Sequence, residues 1–343
     1  MLVAFRATWL AGAATGRLFL LLGTFAAVSG ETFPITTNAW RQRKPLPEGA
    51  VFAATVGAKN GIVYVMSGFT GPDTEKLSDA NRVYDPRLDQ WRLAAPVPTP
   101  RSESGAGIGS DGIIYLVGGN PSRGRKESAR MNKVEAYNPR LDRWTIEPPL
   151  PTPRTALCVL AARDAGEHLR IYAIGGRNFD VPGNGLNTVE AFDPDAKTWR
   201  SQAPMPMGLH AMTAAVGPDG NIYVAGGTNA KVDDIDTVQV YDPKKDRWMS
   251  DLRMPYGQEC ASAISTSDEL IIIGGWSDPR KIAVSTVVAF DPKRSSWRAL
   301  PSLPFATAAA GASAFRIGDS GFCIYVFGGM PDATRLQELQ ILN

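Results

Sequence analysis

Side chains able to do covalent or metal chemistry are few in this chain. Among its 343 residues there are two histidines, His168 and His210. That number cannot build a multi-histidine metal centre, and no zinc-type spacing accompanies them. The three cysteines, Cys158, Cys260 and Cys323, are odd in number and far apart. An oxidised framework would pair them, so they read as buried thiols packing as small hydrophobes. No Gly-x-Ser-x-Gly elbow and no phosphate-cradling Walker loop is present. What remains is acid–base and hydrogen-bonding chemistry from Glu, His and Arg. Arg101 and Arg154 draw notice because each follows a Thr-Pro pair, Thr99-Pro100 and Thr152-Pro153.

Charge narrows the partners. Lys plus Arg is 36 and Asp plus Glu is 34, a formal net charge of +2. Bulk nucleic acid is therefore not an expected partner. A 44% hydrophobic and 20% charged composition is that of a globular chain. Residues 1–30 differ from the rest. They hold Arg6 and Arg17, no acid, an apolar run over 18–28, then Ser29-Gly30. This reads as a signal peptide, or as an N-terminal anchor if it is not cleaved. Export follows, with membrane contact only through an uncleaved anchor.

The elements that must position any site are set by a repeat. Gly doublets recur at 118–119, 175–176, 226–227, 274–275 and 328–329, with a degenerate copy at Ser67-Gly68. Each closes a strand-like apolar run, at 62–65, 113–117, 171–174, 222–225, 270–273 and 324–327. All but the last are followed by an aromatic, then Asp or Asn, then Pro. Tyr84, Tyr137, Phe192, Tyr241 and Phe290 are the aromatics. Seven residues later stand Trp91, Trp144, Trp199, Trp248 and Trp297. Seven beyond each of these stands a proline: Pro98, Pro151, Pro206, Pro255 and Pro304. The Asp-Pro segment is turn chemistry between two strands, and the rings flanking it can wedge between sheets. A unit of about fifty residues cannot cover both faces of its own sheet, so units must stack.

These units resemble kelch repeats, over residues 38–343. The resemblance implies an all-β fold, a six-bladed kelch-type β-propeller. Segment 339–343 aligns with 238–242, so the chain stops at the third strand of its last blade. Trp40 and Pro47 carry the pattern of the missing fourth strand. The expectation is ring closure by an N-terminal strand at 38–44. The domains are then 1–30, the leader, and 31–343, the propeller.

In ligand-binding kelch proteins, the face that binds carries the loop entering the first strand and the loop after the Gly doublet. Transferred by position, the first set holds Glu48, Arg101, Glu103, Arg154, His210, Gln258, Glu259 and Thr307. The second begins at Phe69, Asn120, Arg177, Thr228, Trp276 and Met330. The resemblance thus implies a ligand site from Arg101, Arg154, Arg177, Asn120 and Trp276. Arg offers bidentate donors to a carboxylate, which suits a polar or acidic ligand. Arg101 and Arg154 can equally cap backbone carbonyls, and His210 can be structural. Arg123, Arg125, Lys126 and Arg130 read as a solvated loop.

Two functions are compatible with this reading. The first is an exported, non-catalytic module that binds a protein, a peptide or an acidic carbohydrate, with no cofactor. The second is a sugar-acid mutarotase or epimerase, as in exported six-bladed kelch proteins that act on sialic acid. There Glu103, Glu259 or His210 would move the proton. A copper radical oxidase on kelch blades needs two His and two Tyr ligands, and only His210 is well placed.

Overall fold

The computed structural model describes residues 39–71, 76–122, 131–178, 180, 185–232, 235–277, 279–317 and 321–341. The leader and the basic loop at 123–130 lie outside them. The described chain forms six four-stranded antiparallel sheets, five of them simple meanders and the sixth completed by the first strand, and one two-stranded hairpin. Among the described residues no helix is long and apolar enough to cross a membrane.

The innermost strands are Ala54–Gly57, Gly105–Ile108, Cys158–Arg163, Thr213–Val216, Ser262–Ser265 and Gly311–Ile317, in blades one to six. Second strands are buried along their length, as in Ile114–Val117, Ile222–Ala225 and Leu270–Ile273. They are covered on both faces, and so read as continuous apolar runs. The outermost strands face solvent, with the Trp half-buried in each and only Ala94 and Glu147 beside it in the first two blades.

Blade six is completed as the sequence implies. Trp40–Gln42 pairs antiparallel with Leu336–Ile341, the last strand of the chain. The alignment of the end requires a correction. Leu339 pairs with Ile324 on one side and Trp40 on the other. Tyr241 pairs with Ile222 and Trp248 in the same way. Leu339 therefore occupies the place of Tyr241, not of Val238. The loop after Gly329 is shorter than in the other blades, and three residues of register go with it.

The repeated marks have distinct physical jobs. In blades one to five the Trp packs on the aromatic of its own blade, as in Tyr84–Trp91 at 4.8 Å, Tyr137–Trp144 at 5.1 Å and Phe290–Trp297 at 4.9 Å between centroids. Five Trp indoles also reach the preceding blade. Trp40 Nε1 donates to the Pro301 carbonyl at 2.8 Å, and Trp144 Nε1 to that of Ala95 at 2.9 Å. Trp91, Trp199 and Trp248 do the same. Where the aromatic is Tyr, its hydroxyl donates to an Asp five residues on: Tyr84–Asp89, Tyr137–Asp142 and Tyr241–Asp246, at 2.6–2.7 Å. That Asp also accepts a backbone N–H of the preceding blade, from Lys44, Ala95 or Ala203. Phe192 and Phe290 lack the hydroxyl, and the matching positions are Lys197 and Ser295.

The second glycine of each doublet joins neighbouring blades. Gly119 N–H donates to the Arg154 carbonyl at 3.0 Å, and Gly329 N–H to that of Ala50 at 2.8 Å across the ring closure. Gly119 sits at φ +104, and a Cβ there would lie 2.8 Å from the Ser102 carbonyl oxygen. No side chain fits that approach.

Candidate functional site

A ring of six left-handed residues collars the central channel. They are Phe52, Glu103, Ala156, Ala211, Cys260 and Ala309, with φ between 52° and 55°, and none is glycine. The backbone N–H of each donates to the carbonyl of its counterpart in the preceding blade. The distances run from 2.8 Å, Cys260 to Ala211, to 3.1 Å, Ala211 to Ala156, and Phe52 closes the circle on Ala309 at 3.0 Å. A left-handed non-glycine residue costs roughly 1 kcal/mol or more. Here the strain turns six N–H groups sideways, so that each blade is tied to its neighbour at the axis.

A cavity of about 250 Å³ runs through this collar into the channel. Below the collar its walls are small, with Ala53, Ala54, Gly105, Ala106, Ala310 and Gly311 among them. The six inner strands converge so closely that a Cβ on Gly311 would fall 1.9 Å from Thr55 Oγ1. At the collar the lining becomes polar on one side. Glu103, Arg177, His210 and Glu259 come from blades two, three, four and five. Blades six and one supply Ala309 and Phe52 instead.

Backbone bridges fix three of these four residues, Arg177, His210 and Glu259. The residue just before each collar position pairs with the residue just after the Gly doublet: Thr155 with Arg177, His210 with Thr228, Glu259 with Trp276. The loop entering a blade and the loop after its doublet are thus one structure. Glu103 is held from the next blade. Thr155 Oγ1 donates to its Oε2 at 2.8 Å, and Arg177 Nη2 lies 3.8 Å from the same oxygen.

Of the residues expected at a site, Arg177, Glu103, His210 and Glu259 share the cavity. Arg101 and Arg154 do not reach it. Both are fully buried within their blades. Arg101 donates to the Thr99 carbonyl at 3.0 Å and the Gly118 carbonyl at 3.1 Å, and pairs with Glu135. Arg154 donates to the Ala173 carbonyl and pairs with Glu190, both at 2.9 Å. Thr99 and Thr152 donate to the same carboxylates at 2.7 Å and 2.9 Å. Burial pushes Arg154 down to about 10, against the pull of Glu190. The Thr-Pro-Arg signal therefore marks an internal clamp, matched by Val-Glu in the third strand. Blade one uses the reversed pair, Arg82 with Glu48 at 3.2 Å.

Asn120 is buried, and its Oδ1 accepts the Ser122 N–H at 2.9 Å within its own turn. Trp276 lies half-buried in the hairpin Trp276–Ser277 with Ile282–Ala283 and is not part of the cavity lining. His168 is at the tip of a hairpin in blade three, with a mostly exposed ring. Phe52 and Cys260 were not foreseen. The collar is defined by backbone angle, and no residue type recurs there to give it away.

Comparison with known proteins agrees with this architecture. The Kelch motif family matches residues 106–151, 169–206, 210–250 and 260–304. The chain is similar to the Kelch-like protein terF of Aspergillus terreus, 28% identical over 57% of this chain and 42% of that protein. It is similar to beta-scruin of Limulus polyphemus, 27% identical over 62% of this chain and 23% of that one. The human Kelch repeat and BTB domain-containing protein 12 is 31% identical over 43% of this chain and 25% of its own length. The chain thus spans less than half the length of these relatives. The solved structure of YjhT superposes with a TM-score of 0.65 at 16% identity, over 87% of this chain and 96% of that one, a likeness of fold. This chain is a kelch-repeat β-propeller protein, with six blades closed by its N-terminal strand.

Proposed function

We propose that the chain is an exported, non-catalytic binding module whose channel mouth receives a group of a protein or peptide partner. One observation carries this reading. Glu103, Arg177, His210 and Glu259 converge from four successive blades on one cavity inside a rigid collar. Function on a propeller sits in loops held by the scaffold, and here the loops are stapled to each other. Export, to the cell exterior or a periplasm, is supported by the composition of residues 1–30. If that segment is retained, the propeller is anchored and still faces outward. No cofactor or nucleic acid enters the proposal.

The test is affinity for the partner in three variants. Arg177→Ala and Glu259→Ala should each weaken binding at least tenfold. Arg298→Ala, on the outer edge of blade five where Arg298 pairs with Glu269 at 2.6 Å, should leave it unchanged. Equal affinity in all three would reject the mouth as the binding site.

The alternative is a sugar-acid mutarotase or epimerase. It is favoured by Glu103, His210 and Glu259, all able to exchange protons, sharing the cavity with Arg177. With Arg101 and Arg154 inside the blades, Arg177 is left to hold the substrate carboxylate. Saturation-transfer NMR of anomeric protons decides this reading. Accelerated exchange that Glu259→Gln abolishes supports it, and exchange at the buffer rate rejects it.

A further inference from the structure

We infer that the ring yields at the boundary between blades four and five, whose outer halves part while the axis holds, whatever ligand the mouth receives.

The cause is legible in the sequence once the ties between blades are known. A proline stands four or five residues beyond the Trp of five outer strands: Pro45 after Trp40, then Pro96, Pro148, Pro204 and Pro301. Proline has no N–H for a further rung, so pairing stops within three residues of the Trp. The residue four beyond the Trp is then free to tie the next blade. The carbonyls of Lys44, Ala95, Pro148, Ala203 and Pro301 each accept an indole N–H. Lys44, Ala95 and Ala203 also offer an N–H, and Asp89, Asp142 and Asp246 accept it.

Blade four departs from this pattern. It has Leu252-Arg253 where the others have a proline, and its outer strand runs on to Arg253. Leu252 pairs with Val238 and Arg253 with Thr237, across a register shift. Leu252 is thus engaged in its own sheet. Trp297 of blade five keeps the usual pose on its aromatic, 4.9 Å between centroids at 40°, against 5.1 Å and 42° for Trp248. Its indole N–H therefore points where an acceptor should stand. That N–H is buried and has no hydrogen-bond partner. Ser295 occupies the place of the Asp.

A buried donor without an acceptor disfavours the closed boundary, because water would bond it in the open one. Among the described residues, the outer halves of these two blades meet through apolar contact. Val240, Met249, Leu252 and Phe290 share one cluster with Trp297. A cleft of about 270 Å³, lined by those four and Ser295, already enters there. At the axis the boundary is tied like the others. Cys260 N–H donates to the Ala211 carbonyl at 2.8 Å, and Gly227 N–H to that of Gln258 at 2.9 Å. The motion is a pivot about the collar.

The test uses the full chain with isotopically labelled tryptophan and reads indole N–H exchange with solvent by NMR. The Trp297 signal is assigned by its loss in Trp297→Phe. Under native conditions the Trp297 N–H should exchange at least tenfold faster than those of Trp144 and Trp248. Arg253→Pro with Ser295→Asp supplies the missing stop and the missing carboxylate, and should slow Trp297 to the rate of Trp248. The converse change in blade three, Pro204→Arg, should speed Trp248 and leave Trp297 as it was. Equal rates at Trp297 and Trp248 in the unaltered protein would overturn the inference. So would a folded Arg253→Pro, Ser295→Asp variant in which Trp297 stays fast.

Discussion

The Thr155 hydroxyl donates to Glu103 Oε2 at 2.8 Å, across the boundary between blades three and two. Glu103 holds φ at +55° in the collar, and Thr155 stands one residue before Ala156, its counterpart there. A side-chain bond thus duplicates the backbone bond from Ala156 N–H to the Glu103 carbonyl at 2.9 Å. This blade boundary is fixed twice at the axis. The carboxylate is thereby oriented before any ligand arrives, which lowers the ordering cost of binding.

The collar predicts an unusual response to glycine. Ala211 holds φ at +54°. Ala211→Gly should stabilise the protein by about 0.5–1 kcal/mol in urea unfolding, since the strained angle is relieved. Ala211→Val, β-branched at the same angle, should destabilise it. A loss of stability in the glycine variant would mean that the alanine methyl matters more than the strain.

The internal clamps predict a large asymmetric cost. Glu190→Ala leaves the Arg154 guanidinium buried without its counter-charge. That should cost about 3–5 kcal/mol. The pair Arg154→Met with Glu190→Leu should recover most of it, because no buried charge remains. Ligand affinity should be unaffected in the double variant, as neither residue lines the cavity.

The Tyr–Asp stitches predict non-additivity. Asp246→Ser leaves the Tyr241 hydroxyl only its longer bond to Gln202 Oε1 at 3.2 Å and takes the acceptor from the Ala203 N–H, at an expected ~1–3 kcal/mol. Adding Tyr241→Phe recreates the combination found naturally at Phe290 and Ser295. The double variant should be more stable than Asp246→Ser alone, as a double-mutant cycle would show.

The thiols predict selective labelling. Burial pushes the Cys158 thiol up to about 12, and that of Cys323 likewise. Their folded-state values lie above the ordinary thiol value near 9. They therefore contribute stability below pH ~9 that is lost as the pH climbs towards 12. At pH 8 iodoacetamide should label Cys260 alone in the native protein, and all three cysteines after unfolding. Native labelling of Cys158 would contradict its burial.

Much of this architecture was legible because its marks are side chains with fixed spacing. Trp, Tyr-Asp-Pro and Gly-Gly each do one geometric task, so six blades and the closing Trp40 strand could be counted. The end register was not, since a shortened loop after Gly329 moved Leu339 into an aromatic's place. At the site, position alone located Glu103, Arg177, His210 and Glu259. Arg101 and Arg154 share the same loops, but their partners Glu135 and Glu190 lie some 35 residues on in sequence. Burial and pairing decide which arginine faces the channel, and a single strand of sequence does not display them. Phe52 and Cys260 escaped for another reason, because a backbone angle leaves no residue signature.

The most direct test of the mouth is the alkylation rate of Cys260, which lines the same cavity as Glu259 and Arg177. The full chain would be labelled with and without a saturating peptide or sugar acid that raises its melting temperature. A ligand at about a hundred times its dissociation constant adds ~2.7 kcal/mol, enough to find one. The account predicts at least a tenfold slower reaction at Cys260 in its presence, with the protection lost in Arg177→Ala or Glu259→Gln. A ligand that raises the melting temperature while Cys260 reacts at its free rate would place binding elsewhere on the propeller and contradict the account.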